Sequence, residues 1–342
     1  MRAWIRLDIE TFKFPVLEIR ELPEVHFGEH LPFHPNRVYD IVMPVNLVAV
    51  LIAFCTPLLH AGANVFDSFL SNKIFHRVTT LIFFSASLNV LLLPAIWLVG
   101  LPHTLSFNSI TLIFLIAAIE VLYQYPYYLA FQSADTSIVA SLFSMGNLLT
   151  PLLAFLCLGE HLTNYQYFGY FAIIASASLL VVEIRSLRVN HAAWLMLAVS
   201  VMLSIESIAY KSIFDQGADW ASVVTWSVGI EFLLAVCAMF FADNWHVSAV
   251  KNSDIKELGL FFLFAQLLTW GGEQTATFAL SLLPTSVVKG IDSTQAIFAL
   301  LLATLFAKRI PRFFRENLDK EIRKKVLLFV IMIAGTILIV FG

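Results

Sequence analysis

Ionisable and amide side chains of this chain stand inside long apolar runs, and their spacing is that of helix faces. Side chains three, four or seven positions apart share one face of a helix, and His60, Asn64, Asp67 and Ser71 follow this rule in the first run. A charged side chain at the centre of a bilayer costs about 2.5–3.5 kcal/mol on insertion scales. Each such residue therefore requires a partner or a function, and the faces together indicate a shared polar interior.

Similar polar faces occur in later runs. Lys289 and Asp292 stand about one helical turn apart, and Trp270 precedes Gly271 and Gly272, a pair that permits a bend or a close helix approach. From these faces we select ten candidate substrate-binding residues: Asn64, Asp67, Glu120, Gln124, Tyr127, Glu206, Trp270, Glu273, Lys289 and Asp292.

Several of these residues also have a purely structural interpretation. Lys289 and Asp292 can form an ion pair within one helix that lowers the cost of insertion. Asp67, near the end of its run, can lie at the membrane interface, and Glu231 of a further run can pair with another helix. Tyr127 and its neighbouring tyrosines can belong to an interfacial aromatic belt. At the level of the sequence both interpretations stay open.

The charges inside the apolar runs are mainly acidic. Only two lysines, Lys211 and Lys289, stand against six carboxyl groups, and a carboxyl group desolvated in a membrane cavity can take up and release protons near neutral pH. We therefore expect a cationic or zwitterionic small molecule as substrate, protons as the coupling ion, and Glu273 or Glu120 as proton carrier. The six acidic residues are Asp67, Glu120, Glu206, Glu231, Glu273 and Asp292.

The composition predicts a membrane protein. Of the 342 residues, 59% are hydrophobic and 13% are charged, whereas soluble domains carry about 25% charged residues. In lipid, backbone groups must bond within a helix or a closed barrel, and these apolar runs are continuous rather than alternating. We therefore expect an all-α integral membrane protein that crosses the bilayer in ten spans: 43–70, 79–100, 107–130, 135–157, 164–183, 192–213, 220–241, 257–280, 285–306 and 325–341.

Other function classes find little support in the sequence. Cys55, Cys157 and Cys237 lie inside apolar runs without metal-ligand spacing, which predicts buried cysteines, no disulfide framework and no metal site. The net charge of −3 and the lack of a basic patch of nucleic-acid type argue against a nucleic-acid partner. The sequence carries no nucleophile–base motif at membrane depth, so we expect neither enzyme activity nor a cofactor.

An internal repeat relates the two halves of the chain. Residues 149 positions apart match at Thr136 and Thr285, and the following serine and valine positions match as well; the same offset relates Gln124 to Glu273. Many secondary transporters consist of two repeats around a site near the bilayer midplane. We therefore expect two five-helix repeats of inverted topology, at 42–184 and 191–342, with Gln124 and Glu273 facing one cavity.

The most distinctive motifs surround the fourth span. Pro151 lies within it, Gly159 and Glu160 follow its end, and Gly169 lies in the fifth span. This pattern resembles the drug/metabolite transporter superfamily of the EamA type, including its nucleotide-sugar and solute-carrier 35 branches. The resemblance implies a ten-helix transporter over about residues 44–341, whose ninth span lines the substrate cavity.

The second copy departs from this family pattern. Leu300 stands where a proline is common, and Lys308 and Arg309 replace the Gly-Glu pair. The segment 307–325 is strongly basic, which predicts contact with anionic headgroups. The orientation stays open, because the positive-inside rule places both termini outside, whereas the family usually has both in the cytoplasm.

Residues 1–41 differ from the rest in their charged and proline-rich composition. We expect a disordered or loosely docked tail there or, alternatively, a native start at Met43. His26, His30 and His34 have the spacing of a metal stripe, but prolines within the same stretch break the helix that it requires. The default location for such a chain is a bacterial inner or plasma membrane.

Together these patterns predict a secondary-active transporter of a small metabolite. One alternative is an exchanger of anionic, phosphorylated or nucleotide-sugar metabolites, which would need more cations than Lys211 and Lys289. The other alternative is a membrane sensor or scaffold that keeps the fold without transporting.

Overall fold

The computed structural model describes residues 47–73, 77–133, 139, 142–143, 147, 149–181, 191–243, 255–295, 297–299, 301–302, 305 and 322–341. Residues 44–342 belong to one compact unit. The predictions for the tail 1–41 with its histidines, for a start at Met43, for Thr136 of the repeat and for basic residues 307–321 lie outside the described residues.

Regular structure in the described ranges is helical, with no strand, which confirms the all-α prediction. The described helices are α1 (Leu47–Lys73), α2 (Val78–Trp97), α3 (Phe107–Ser133), α4 (Leu149–Leu158), α5 (Asn164–Val181), α6 (His191–Asp215), α7 (Trp220–Asp243), α8 (Ile255–Leu282), α9 (Thr285–Asp292) and α10 (Ile322–Phe341).

Five stretches within these helices are long and apolar enough to cross a membrane: Leu47–Asp67, Val78–Trp97, Phe107–Phe131, Trp194–Asp215 and Trp220–Phe241. Large apolar side chains on the outer faces of the helices are exposed, as a lipid-facing surface requires. These observations agree with the prediction of a membrane protein.

Two predicted spans are not continuous helices. In the span predicted at 285–306, α9 ends at Asp292 and a turn at Ser293 and Thr294 follows. In the span predicted at 135–157, Asn147 lies in a turn just before α4. At this point the ladder tightens, because the Thr294 N–H donates to Ile291 O at 3.0 Å, three residues back, and the Thr294 hydroxyl donates to the same carbonyl at 2.8 Å.

Helix packing follows a simple scheme. The most extensive pairs are α1 with α8, α3 with α6, α5 with α10, and α2 with α7. Where α5 crosses α10, Gly169 and Gly335 lie back to back, and a Cβ built on Gly335 would lie 2.7 Å from the carbonyl oxygen of Gly169. Only residues without a side chain allow this approach of two backbones.

The first three helices each contain an interior proline, at Pro57, Pro94 and Pro126. An interior proline lacks the N–H for the ladder and clashes with the preceding turn, which bends the helix. In α3 this bend lies one residue before Tyr127, so it sets the direction of a predicted site residue.

Two expectations about individual side chains are wrong. Cys55, Cys157 and Cys237 are exposed on the outer surface rather than buried. Lys211 is not a cavity cation, because its Nζ lies 3.1 Å from Asp215 Oδ1, one turn on at the end of α6. Its long side chain reaches the helix end, where it pairs with a half-exposed carboxylate.

Candidate functional site

The helices enclose one large polar cavity between α1, α2, α3, α6, α7, α8 and α9. Its walls surround about 1180 Å³ of space, a volume that includes the part open to solvent. Nine of the ten predicted site residues line it: Asn64, Asp67, Glu120, Gln124, Tyr127, Glu206, Glu273, Lys289 and Asp292.

Trp270 is the predicted residue that the structure does not place on the cavity wall. Its ring packs against an apolar cluster that includes Leu93 of α2 and Val224 and Val228 of α7. The neighbouring Gly272 performs the packing role predicted for the glycine pair, because a Cβ there would collide with the imidazole of His60. Trp270 and Glu273 lie three residues apart, so helix periodicity alone does not separate their environments.

The cavity wall also contains residues that the sequence analysis did not single out. Asn89 of α2 and Gln274 of α8 line it, and Asn89 Nδ2 donates to Glu231 Oε2 at 3.5 Å. Asn89 is the only carboxamide in the apolar run of α2, which was the available signal. Its hydrogen bond ties α2 to a buried carboxylate on α7.

One side of the cavity is organised around Asp67. The hydroxyl of Tyr127 lies 2.7 Å from Asn64 Oδ1 and 3.1 Å from Asp67 Oδ2, and donates its single hydrogen to these acceptors. Asp67 is 3% exposed. It therefore lies in the packed interior between the helices.

A second group consists of glutamates from four helices: Glu120 of α3, Glu206 of α6, Glu231 of α7 and Glu273 of α8. The carboxyl groups of Glu120 and Glu206 lie within hydrogen-bonding reach of each other. Glu231 and Glu273 are close enough to act electrostatically on Glu206. Carboxylates so close repel each other unless a proton or a cation lies among them.

The third group joins α1 to α9. Asp292 Oδ1 lies 3.7 Å from His60 Nδ1, and Asp292 Oδ2 lies 3.8 Å from Lys289 Nζ. The predicted ion pair of Lys289 and Asp292 is therefore present, but it faces the cavity and includes a histidine from another helix. Since Asp292 is 2% exposed, its charge is balanced inside the protein.

The position of α9 is fixed from outside the cavity. Glu160, just after α4, accepts hydrogen bonds from the backbone N–H of Thr285 at 2.8 Å and of Ser286 at 3.1 Å. It also accepts one from the Ser286 hydroxyl at 2.9 Å. A carboxylate at a helix N-terminus satisfies unpaired N–H groups and complements the helix dipole. The Gly-Glu motif thus holds the first turn of the helix that carries Lys289.

A further connection joins the turn just before α4 to the turn just after α9. Asn147 Nδ2 donates to Ser293 Oγ at 3.1 Å, and the Asn147 carbonyl accepts a hydrogen bond from the Tyr170 hydroxyl at 2.8 Å. The break in each predicted span is therefore hydrogen-bonded to its surroundings. Both breaks lie beside the ion pair that lines the cavity.

Comparison with known proteins gives a likeness of fold. No family model matches the chain, and no curated protein matches it. Among solved structures, 29 chains match. One of them, a crystal structure of a protein without a functional name, superposes with a TM-score of 0.59 at 16% identity. The match covers 86% of this chain and 97% of that one, so this arrangement of helices also occurs in a solved protein.

Proposed function

We propose that this chain is a secondary-active transporter that moves a small cationic or zwitterionic solute by alternating access with proton coupling. The observation that carries the proposal is the cluster of Glu120, Glu206, Glu231 and Glu273 inside a cavity between helices. Buried carboxylates without matching cations are costly. A cavity that collects them is suited to bind protons and cations in turn.

Helix packing supports the two-repeat architecture that this mechanism uses. If each of the first five helices corresponds to the one five positions later, the pair α1 and α8 corresponds to the pair α6 and α3. The pairs α2 with α7, α4 with α9 and α5 with α10 then correspond to themselves. All these pairs are in contact. We therefore propose ten spans in two five-helix repeats, at 42–184 and 191–342. Because each repeat has an odd number of spans, the two repeats have opposite orientations in the membrane.

The self-corresponding pairs would lie on the axis that relates the repeats. Gly169 and Gly335 lie back to back where the last helices of the two proposed repeats cross. The interruptions beside Asn147 and after Asp292 lie in corresponding spans. Paired interruptions of this kind mark the substrate sites of many transporters with inverted repeats. We assign the chain to the drug/metabolite transporter superfamily on this basis.

Glu120 and Glu206 are the proposed proton site. Two carboxyl groups in direct contact hold a proton between them, and a cation that enters the cavity can replace it. Release of that proton to one side and its return from the other would couple solute movement to the proton gradient. Glu273 lies close enough to Glu206 to contribute to the same exchange.

The contacts of the cavity favour a cation over the anionic substrates of the alternative exchanger. Among the described residues, the lysine side chain that lines the cavity is Lys289, which pairs with Asp292. Lys211 pairs with Asp215 at the end of α6. Neither lysine is therefore free to hold a phosphate or carboxylate without first losing its own partner. We place the protein in a bacterial inner or plasma membrane.

A flux assay tests the proposal. Purified protein is reconstituted into liposomes that contain a pH-sensitive dye, and amines, amino acids and phosphorylated metabolites are added outside. We expect amines to drive proton movement, and Glu206→Gln and Glu120→Gln to abolish it. Asp215→Asn is the matched control, since Asp215 lies on the same helix as Glu206 but pairs with Lys211 at its end.

Two results would overturn this assignment. Full pH-dependent flux in both glutamine variants would remove the carboxyl pair from the mechanism. Ligand binding by folded protein without flux of any compound would favour the non-transporting sensor, and binding can be measured separately because a ligand of the folded state raises the melting temperature.

A further inference from the structure

The buried oxygen atoms on the cavity wall that lack a hydrogen-bond partner among the described residues include Asp67 Oδ1, Gln124 Oε1 and Gln295 Oε1. Their residues are 3%, 7% and 1% exposed, respectively. A buried acceptor without a donor lowers stability, so a ligand that brings N–H groups into the cavity would recover this free energy.

The orientation of Gln124 is set by its own contacts. Gln124 Nε2 donates to the carbonyl oxygen of Glu120 at 3.0 Å. A flipped amide would place two oxygens against each other, so Oε1 is the atom that faces away from this bond. Gln124 therefore offers an acceptor to the ligand, next to the acidic Glu120.

The basic side chains that line the cavity among the described residues already have a partner. Lys289 and His60 both lie beside Asp292, at 3.8 and 3.7 Å. A ligand carboxylate would compete with Asp292, which is itself buried. The surplus of acceptors and carboxylates therefore favours a ligand with net positive charge over a zwitterion.

The acidic groups occupy two levels of the cavity. Asp67 contacts Tyr127 of α3, and Glu120 lies seven residues earlier on the same helix. Seven residues correspond to about 10.5 Å along a helix axis. Glu120 in turn contacts Glu206. Tyr127, which contacts Asp67, and Glu120 thus lie about two helical turns apart on α3, and both carboxylate groups line the same cavity.

We propose that the substrate is a linear aliphatic diamine or polyamine, an inference that rests on the proposed function. One ammonium group binds at Asp67 with Asn64 and Tyr127 behind it, and another binds at Glu120 and Glu206. The ammonium N–H groups donate to the unpaired oxygens of Asp67 and Gln124, which a quaternary ammonium group cannot do.

The test uses compounds with the same four-carbon backbone and measures their binding by thermal stabilisation of the purified protein. They are 1,4-diaminobutane, 4-aminobutanoate, butanedioate, 1-aminobutane and the analogue of the diamine in which both nitrogens are quaternary trimethylammonium groups. We expect the diamine to bind at least tenfold more tightly than each of the others. Longer diamines up to eight carbons test the spacing of the two acidic levels. Asp67→Asn should reduce the affinity for the diamine to that for 1-aminobutane, whereas Asp215→Asn should change neither.

Equal binding of the diamine and its methylated analogue would overturn the proposal without use of any variant. Preferential binding of 4-aminobutanoate, or an Asp67→Asn variant that keeps the diamine preference, would also overturn it. These outcomes leave the proposed transport activity intact if other amines drive proton flux. Conversely, the expected binding pattern without any flux would support the diamine site and overturn the transporter assignment.

Discussion

Replacement of Gly335 by alanine tests the close contact between α5 and α10. The new methyl carbon would lie 2.7 Å from the carbonyl oxygen of Gly169 and 2.9 Å from Ile173 Cγ1, whereas ordinary contacts begin at 3.4 Å. The backbone oxygen cannot rotate away, so the two helices must separate by roughly 0.7 Å. Overpacking of this kind costs about 1–3 kcal/mol, and we expect the upper part of that range because the obstacle is backbone.

The matched control is Gly229→Ala. Gly229 lies within α7, and a Cβ there meets no atom within 4 Å. Both substitutions gain about the same helix propensity, so their difference isolates the steric cost. At roughly 2 °C per kcal/mol for a chain of this size, thermal unfolding should place Gly335→Ala about 4–6 °C below Gly229→Ala. A Gly335→Ala protein that melts at or above the control would refute the close packing of α5 and α10.

Three further substitutions test local contacts. Glu160→Gln weakens the acceptors at the N-terminus of α9 and should lower stability by about 1–2 kcal/mol in thermal melting, with Asp215→Asn as the control; an unchanged melting temperature would contradict the capping role. Burial raises the pKa of Asp219, but hydrogen bonds from Ser222 outweigh it and hold the pKa below its usual range. Asp219 therefore stabilises the fold above about pH 4. The loss of folding stability in Asp219→Asn should shrink as the pH falls through the pKa that Asp219 has in the folded protein, and a loss of stability that does not depend on pH would refute this. Tyr127→Phe removes the donor to Asn64 and Asp67 and should weaken amine binding about tenfold without unfolding the protein; unchanged affinity in a ligand titration would separate Tyr127 from the site.

The sequence predicted the composition of the cavity better than its geometry. Asp67, Glu120 and Glu273 could be selected because an ionisable residue in an apolar helix is costly wherever it points. Trp270 carries no such cost, so its place beside Glu273 left its direction undetermined. In the structure its ring packs against the cluster that includes Val224, and Trp270 is not among the residues that line the cavity.

Long-range contacts could not be predicted. The resemblance drew attention to Glu160, but nothing in the sequence indicates that it reaches the first turn of α9, 125 residues away. The ends of α9 and the turn at Asn147 were missed for a related reason. Hydropathy measures the cost of burial, and the hydrogen bonds of Thr294 to Ile291 O at the end of α9 hardly change it.

Lys211 shows that position in a run does not fix an environment. Its position inside an apolar run predicted an intramembrane cation, yet its side chain pairs with Asp215 at the end of α6. Long side chains reach several ångströms from their own Cα. Short acidic side chains such as Asp67 are more closely tied to the position of the backbone, and their placement was correspondingly easier to predict.

Interior prolines occur in α1, α2 and α3, whereas α6, α7 and α8 contain none. If the two sets are duplicated counterparts, the copies have diverged in stiffness. A helix with a missing backbone hydrogen bond deforms at lower energy than an intact one, so the first copy would be the compliant half and the second the rigid frame. A chimeric protein built from two copies of the second half would keep the symmetry of the fold. It would transport slowly, because neither half would deform easily.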